Sequence, residues 1–491
     1  MQMFVDGATR VRPAALFDPN GLRVHLIGIG GAGMSGAAAM LMELGARVTG
    51  SDLNPFEGMG PLVSRGATVA IGHQARHVGD DVDLVVASAA VPESNDELSS
   101  ARTRGLSVLK YSELAGLLMR MHRRGVAVAG THGKSTTTAM CAFLCREAGL
   151  EPSFLIGARS PQLGGNTGVG SGSFFIVEAC EFDRSFLHFS PESAAILNIE
   201  PDHLDCYRDI EDIVEAFSSF ATKVEPDGLV VYNADDPLAR RAAEAASASG
   251  QSFGFEEDAD WRALNLRCEA GCYSFVVQFR GSPVVSTRLL VPGRHNVANA
   301  LAAIALSYHA GADLECLADA LPKFAGVNRR STWRGEGRGV TIVDDYAHHP
   351  TEIRVTLEAA RGRYAPRRLW VVFQPHQSSR TRRLMDDFAV SFAEADEVIV
   401  PDVYGARESL ASRGLQPART NGPPEGGSSE ELVSRLRDAG TRARYAPSLG
   451  DAVEQVCRGV ESGDLVLTMG AGDVWKVADE LVARICEPHP A

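Results

Sequence analysis

No apolar run in this 491-residue sequence approaches the roughly 20 residues needed to cross a bilayer, so membrane insertion is not expected. Positive charge is also in short supply. Lysine and arginine number 48 against 62 aspartates and glutamates, a net charge of -14, whereas a nucleic-acid surface would want a basic face. Metal-type cysteine pairing is missing too: the nine cysteines include no CxxC, Cys141 and Cys145 stand four apart in an expected helix, and Cys268 and Cys272 flank Glu269-Ala270-Gly271. That scatter fits free thiols in a reducing compartment and argues against zinc. Met1 to Asn20 shows no apolar core followed by a small-residue cleavage site, so a cytoplasmic protein is expected. What remains is 45% hydrophobic and 22% charged, the balance of a globular chain too long for one core. Three domains are the natural count, in a monomer or homodimer.

The most informative stretch is Gly130-Thr131-His132-Gly133-Lys134-Ser135-Thr136-Thr137, set between the apolar run Val126 to Ala129 and a helical pattern beginning near Thr136. A strand feeding a glycine turn that opens a helix offers backbone N–H groups and a positive dipole end to an anion, and Lys134 adds a charge. The usual phosphate loop is G-x-x-x-x-G-K-[ST]; here Val128 takes the first glycine position, so the loop is a shortened variant. An ordinary strand-to-helix turn would leave Lys134 and the hydroxyls from Ser135 to Thr138 unexplained.

Short strands alternate with helical stretches in all three segments, which predicts an α/β fold with mostly parallel sheets. The first domain, residues 1–124, reads as Rossmann-like, with strands Val24 to Ile29, Arg47 to Gly50, Thr68 to Ile71 and Leu84 to Ala87 and a helix from about Gly33 to Leu44. A central nucleotide-binding domain is expected over 125–325, after a basic linker at His122 to Gly125, and a second Rossmann-like α/β domain over 326–491. The stretch from Ala411 to Ser429, rich in Gly, Pro, Ser and Arg, reads as an exposed loop.

Two further patterns carry chemistry in the first two domains. Gly28, Gly30 and Gly33, with Gly31 between them, match G-x-G-x-x-G after a strand, and Asp52 follows 24 residues after Gly28. A helix N-terminus accepts any diphosphate, so a nicotinamide dinucleotide and a nucleotide sugar both fit. In the central segment, Glu178 ends a strand where open parallel sheets place their ligands, and His203 lies at the end of the next. A triphosphate brings magnesium, for which Ser135 and Glu178 are the simplest pair, with His203 at a second metal or held by backbone.

Asn296 and Asn299 open a helix and offer the donor and acceptor that an adenine edge requires, although asparagine is equally a helix cap. In the last segment Asp344-Asp345-Tyr346-Ala347-His348-His349 and Gln374-Pro375-His376-Gln377-Ser378-Ser379-Arg380 follow two strands directly. Such loops suit an amino acid; the plainer reading is helix capping by Ser378 or Ser379 beside a solvated Arg380.

Taken together, Gly28 to Gly36, Gly130 to Thr138, Glu178 to Leu187, Asp202-His203, His295-Asn296, Arg329-Arg330, Asp344 to Pro350 and Phe373 to Arg380 resemble the Mur ligases of bacterial cell-wall synthesis, from about Val24 to Val482. The resemblance implies ATP-dependent joining of L-alanine to the lactyl carboxylate of UDP-N-acetylmuramate through an acyl phosphate. By the same resemblance Gly28, Gly30, Gly31, Gly33 and Asp52 hold the uridine diphosphate. Gly130 to Thr136 take ATP, with Lys134 on its phosphates, Ser135 and Glu178 on magnesium (or manganese), and His203 at a second metal. Asn296 and Asn299 meet the adenine, and Arg330 and Asp345 reach ATP. Tyr346, His348, His376 and Arg380 shape the pocket for the carboxylate and alanine, with His348 or His349 a proton acceptor.

Departures accompany the likeness. Gln377 stands where some members carry arginine, Ser135 replaces a common threonine, and Phe217-Ser218-Ser219-Phe220 offers no lysine for carbamylation near the metals. Rival expectations are a recycling ligase that attaches a preformed peptide to the same sugar nucleotide, a nicotinamide-dependent oxidoreductase, and a binding protein without turnover.

Overall fold

The computed structural model describes residues 17–56, 58–204, 206–405 and 427–486. Most of the loop expected at Ala411 to Ser429 therefore lies outside the described residues, as do Glu57 and Asp205. The fold is α/β, built on three sheets.

The first sheet has the order β3-β2-β1-β4-β5 and is parallel throughout: β1 Arg23–Ile27, β2 Arg47–Asp52, β3 Thr68–Ile71, β4 Leu84–Ala87, β5 Ser107–Lys110. The second has ten strands, β6 Arg124–Ala129, β7 Ser153–Ser160, β8 Gly165–Gly168, β9 Phe174–Glu178, β10 Ser193–Ile196, β11 Leu229–Asn233, β12 Ser249–Gly254, β13 Trp261–Glu269, β14 Cys272–Phe279 and β15 Ser282–Leu289. Their order is β15-β14-β13-β12-β11-β10-β6-β9-β7-β8, parallel from β12 to β7 and antiparallel at β7/β8. The third sheet runs β16 Thr332–Gly337, β17 Val340–Asp345, β21 Leu465–Met469, β18 Leu369–Phe373, β19 Glu397–Pro401, β20 Ala443–Ala446, antiparallel only at β16/β17.

Helices cover these sheets on both faces, which is why the inner strands read as apolar runs rather than alternating ones. Every residue of β4, β18, β19 and β21 is buried. Arg124 and Gly125, expected in a linker, instead open β6, where Arg124 bonds both carboxylate oxygens of Glu192 at 2.5 Å.

The described residues fall into two compact units. One holds the chain up to Asn265 with Phe275–Thr287 and Ala298–Gly326; the other holds Leu266–Ser274, Arg288–Val297 and the chain from Val327. The first and second sheets' glycine turns both belong to the first unit.

In each of those two sheets the chain builds outward on one side of a central strand, then returns to build on the other. Such a reversal leaves a crevice at the strands' carboxyl ends. Both glycine turns sit there. A Cβ on Gly28 would lie 3.0 Å from Ser88 Cβ, just past β4, and a Cβ on Gly130 would lie 2.8 Å from Leu197 Cβ, just past β10.

Candidate active site

The Gly130 turn is built by its neighbours' hydrogen bonds as much as by its glycines. Gly130 and Gly133 take φ of 146° and 81°, and Gly133 caps the helix Lys134–Glu147. Asn198 clamps the turn: its backbone oxygen accepts from Thr131 N (2.9 Å), its Oδ1 accepts from His132 N (2.7 Å), and its Nδ2 donates to His132 O (3.1 Å). Thr131 Oγ1 accepts from Glu200 N at 2.9 Å. Asn299 closes over the glycine, since a Cβ on Gly133 would meet Asn299 Oδ1 at 2.6 Å. Asn296 Nδ2 donates to Pro292 O at 2.7 Å.

Lys134 folds back over the turn, with Nζ donating to Gly130 O (2.5 Å), Thr131 O (2.9 Å) and Glu181 Oε1 (3.1 Å), and 2.8 Å from Glu181 Oε2. Burial works against its charge, but Glu181, Cys180 and Glu178 together offset it and hold the ammonium above the ordinary lysine range. Glu181 Oε1 lies 3.6 Å from His203 Nε2, and His203 itself takes φ 52°. Glu178 at the end of β9 accepts from Gly157 N at 2.7 Å. Ser135 and Thr136, in the first turn of the helix, are buried.

Glu181 is the residue that sequence reasoning passed over at this site, along with Asn198. The available signal for Glu181 was its position three residues past a strand-end acid; for Asn198 it was an amide directly after a strand facing a glycine turn.

Lys134, Ser135, Glu178 and His203 thus belong to one carboxyl edge. A carboxylate and a hydroxyl are the hard oxygen donors that magnesium and manganese take, and the His203 imidazole is a softer donor beside them. The donor set fits a divalent ion beside a triphosphate.

The Gly28 turn is organised by a carboxylate. Asp52 Oδ2 accepts from Gly30 N at 2.8 Å, and a Cβ on Gly30 would lie 2.7 Å from both that oxygen and Phe56. Gly28 N and Ile29 N donate to Ser51 O at 2.8 and 3.0 Å. Gly31 caps the helix Ala32–Glu43 and Gly33 lies under the Tyr111 ring.

Below Ser51 lies a wholly buried carboxylate, Glu97, which accepts from Ser51 Oγ (2.5 Å) and Gln74 N (3.0 Å) and meets His25 Nε2 (3.1 Å) and His77 Nδ1 (2.9 Å). Burial opposes its charge, yet the bonds from His25, His73 and Ser51 hold its pKa far below the usual carboxylate range.

In the second unit the loops after β17, β18 and β21 meet. Asp344 is fully buried against Arg329 Nε (3.2 Å) and Thr468 Oγ1 (2.7 Å), and Arg329 also donates to Gly470 O at 2.7 Å. Asp345 accepts from Ser331 N (2.6 Å) and Ala347 N (2.7 Å); burial pushes its pKa up to about 6 against the pull of Arg330. The Tyr346 ring carries the guanidinium carbons of Arg329 and Arg330 at 5.1 and 5.2 Å.

His348 Nδ1 bonds Tyr346 O at 3.0 Å, so this nitrogen carries the proton and Nε2 is the ring's acceptor. His349 is not placed to take up a proton at Nδ1, which accepts from Thr351 N at 3.3 Å as the cap of the helix Pro350–Tyr364. His376 lies 5.9 Å from His348 and stacks on Tyr404 at 5.7 Å, ring centre to ring centre. Arg380 lies in the helix Ser378–Arg383, close enough for its charge to act on Tyr346. Gln377, at φ 66°, occupies the cap position of that helix, which the alternative reading gave to Ser378 or Ser379. Tyr404 had no signal in the sequence.

Three nucleotide-type α/β modules with these turns define an acid–amine ligase architecture. The chain matches the Mur ligase family, catalytic domain over residues 23–123, the Mur ligase middle domain over 128–307 and the Mur ligase, glutamate ligase domain over 329–472; it belongs to the Mur ligase family. It is 40% identical over 461 residues to the UDP-N-acetylmuramate–L-alanine ligase of Caldanaerobacter subterraneus subsp. tengcongensis, covering 94% of this chain and 97% of that one. Among solved structures it resembles the UDP-N-acetylmuramate-alanine ligase of Thermotoga maritima, with a TM-score of 0.79 and 28% identity over 94% of this chain and 99% of that one. It also resembles a murein peptide ligase from Psychrobacter arcticus, with a TM-score of 0.72 and 25% identity over 96% and 100%. No helix of the described residues is long and apolar enough to cross a membrane.

Proposed function

We propose that this chain joins L-alanine to the lactyl carboxylate of UDP-N-acetylmuramate, with ATP as energy source, in the cytoplasmic stage of peptidoglycan synthesis. The relative at 40% identity over nearly the whole chain supports the substrates. The observation that carries the chemistry is Lys134 fixed on a clamped glycine turn, at one sheet edge with Ser135, Glu178 and His203. Residues 1–124 take the sugar nucleotide through Gly28, Gly30, Gly31, Gly33 and Asp52. Residues 125–325 take ATP, with Asn299 beside the turn for the adenine. Residues 326–491 take the amino acid through Tyr346, His348, His376 and Arg380.

A carboxylate is a poor electrophile, so it is first activated. Its oxygen attacks the γ-phosphorus, the bond to the bridging oxygen of ADP breaks, and an acyl phosphate results. The neutral amine of alanine then adds to the carbonyl, orthophosphate departs with the former carboxylate oxygen, and the amine's surplus proton passes to Nε2 of His348. Lys134 stabilises the charge gathered on the phosphoryl oxygens, and preorganised donors of this kind are worth about 3 to 4 kcal/mol. Ser135 and Glu178 would hold magnesium, which when bound neutralises phosphate charge.

Phosphate release with UDP-N-acetylmuramate, ATP and magnesium, scanned over single amino acids and a tripeptide, tests the reading. Alanine is expected to support turnover and the tripeptide to fail. The likeness to a murein peptide ligase favours the second reading, a recycling ligase, which a faster tripeptide reaction would establish. Heavy oxygen placed in the sugar's carboxyl group is expected in the orthophosphate; its absence would exclude the acyl phosphate.

A further inference from the structure

The segment after β9 is held in a conformation that its sequence does not favour. Asp183 and Arg184 stand in succession at φ 53° and 52°, in the left-handed region where a Cβ crowds the backbone. Strain of this kind persists only where the surroundings impose it, and it gathers at functional sites. Here they do impose it. Phe186 N donates to Cys180 O at 3.0 Å, Arg184 N to Glu181 O at 2.9 Å, and the buried Tyr207 hydroxyl to Glu181 O at 2.5 Å. The Phe186 ring is stacked on Phe220 at 4.9 Å and edge-on to Phe217 at 5.0 Å.

The side chain delivered by this scaffold is Glu181. It is 2% exposed, and its two oxygens lie 2.8 and 3.1 Å from Lys134 Nζ. A buried ion pair of this geometry fixes both partners, because removing either leaves an uncompensated charge. It also sets a negative charge beside the one cation that the glycine turn presents to phosphate, and like charges at such range repel strongly away from bulk water.

We infer that Glu181 is a positioning residue: it aims the Lys134 ammonium for phosphoryl transfer and, by opposing the polyanion, restrains the affinity for ATP. The inference rests on the reading of the Gly130 turn as the phosphate site. It gives Glu181 a sign that a structural residue lacks, since damage to a binding loop weakens binding, whereas removal of this carboxylate strengthens it.

The test is calorimetric titration of the full chain with ATP, in EDTA and again in magnesium, for the wild type, Glu181→Gln and Lys134→Ala, with kcat measured alongside. Glu181→Gln is expected to tighten ATP binding roughly three- to tenfold in both buffers while lowering kcat at least about tenfold. Lys134→Ala is expected to weaken binding. Unchanged or weaker binding by Glu181→Gln, where Lys134→Ala has weakened it, overturns the role given to Glu181. Weakening in magnesium alone makes Glu181 a metal ligand and also overturns it. Wild-type affinity in Lys134→Ala overturns the phosphate-site reading itself. Should Glu181→Gln lose its thermal transition, Glu181→Asp, which draws the charge back by one methylene, is expected to tighten binding about twofold, and weaker binding by it counts against the inference.

Discussion

The Gly28 and Gly130 turns solve one backbone problem with opposite electrostatics. Both follow a buried parallel strand, open a helix and sit where their sheet reverses direction. The first has no cation on its turn, and an aspartate already accepts the Gly30 N–H. The second carries Lys134, and its nearest acid is fastened to that lysine rather than to the backbone. A ligand at the first turn meets a carboxylate that favours hydroxyl donors such as a ribose; at the second it meets fixed positive charge suited to a reacting phosphoryl group. Shared geometry thus says where an anion docks, and the side chains say whether chemistry follows.

The sharpest way to break this contrast is Lys134→Ala. Loss of one preorganised charge is expected to cost about 3 to 4 kcal/mol, a 100- to 1,000-fold drop in kcat, with UDP-sugar affinity unchanged by titration. A variant near the wild-type rate would make the two turns equivalent. Gly30→Ala should have the converse effect, because its Cβ would lie 2.7 Å from Asp52 and Phe56. UDP-sugar affinity is expected to fall at least about tenfold, the cost of overpacking being some 1–3 kcal/mol, with ATP affinity retained.

Asn198→Ala refines the comparison, since this residue has no counterpart under Gly28. Two hydrogen bonds to His132 at about 1 kcal/mol each predict a roughly 30-fold loss of ATP affinity, readable in the same titration.

Asp345→Asn probes the second unit, whereas both turns belong to the first. The Asp345 pKa is about 6 in the fold, above the ordinary carboxylate value, so the folded state binds more protons between about pH 4 and 6 and the wild type loses stability as pH rises through that window. His295 has the opposite slope: burial lowers it to about 4, and its contribution is present above its ordinary value near 6.5 and lost as pH falls towards 4. Removing the Asp345 carboxyl should therefore make the stability difference, variant minus wild type, climb with pH from about 4 to 6 and level off above. Urea unfolding across that range checks it; a flat difference would mean that Asp345 is not strained by burial.

Of the strands, Leu84–Ala87, buried at every position, is legible from its apolar run, and Thr68–Ile71, partly exposed at a sheet edge, from its β-branched residues; both match the expected bounds at both ends. Those missed are polar or glycine-rich: β8 reads Gly165-Asn166-Thr167-Gly168 and β16 reads Thr332 to Gly337 with two glycines. Neither offers an apolar period, and each lies at a sheet edge. The site divides likewise. Glycines, Lys134 and the strand-end acids announce themselves by spacing, whereas Glu181 and Asn198 act through neighbours distant in the chain and show only as polar residues near strand ends, and Tyr404 leaves no local pattern.

Asn166 on the edge strand β8 donates to Ala32 O at 2.6 Å, while Gly36 one turn further on leaves room for it. This amide works as a strut between the helix that starts at the Gly28 turn and the sheet that carries the Gly130 turn. With the sugar nucleotide and ATP at these turns, as proposed, the reactants would meet at a separation set during folding, and their encounter would be governed by effective molarity and not by diffusion. Loosening the strut would leave each affinity intact and slow only the step that needs both.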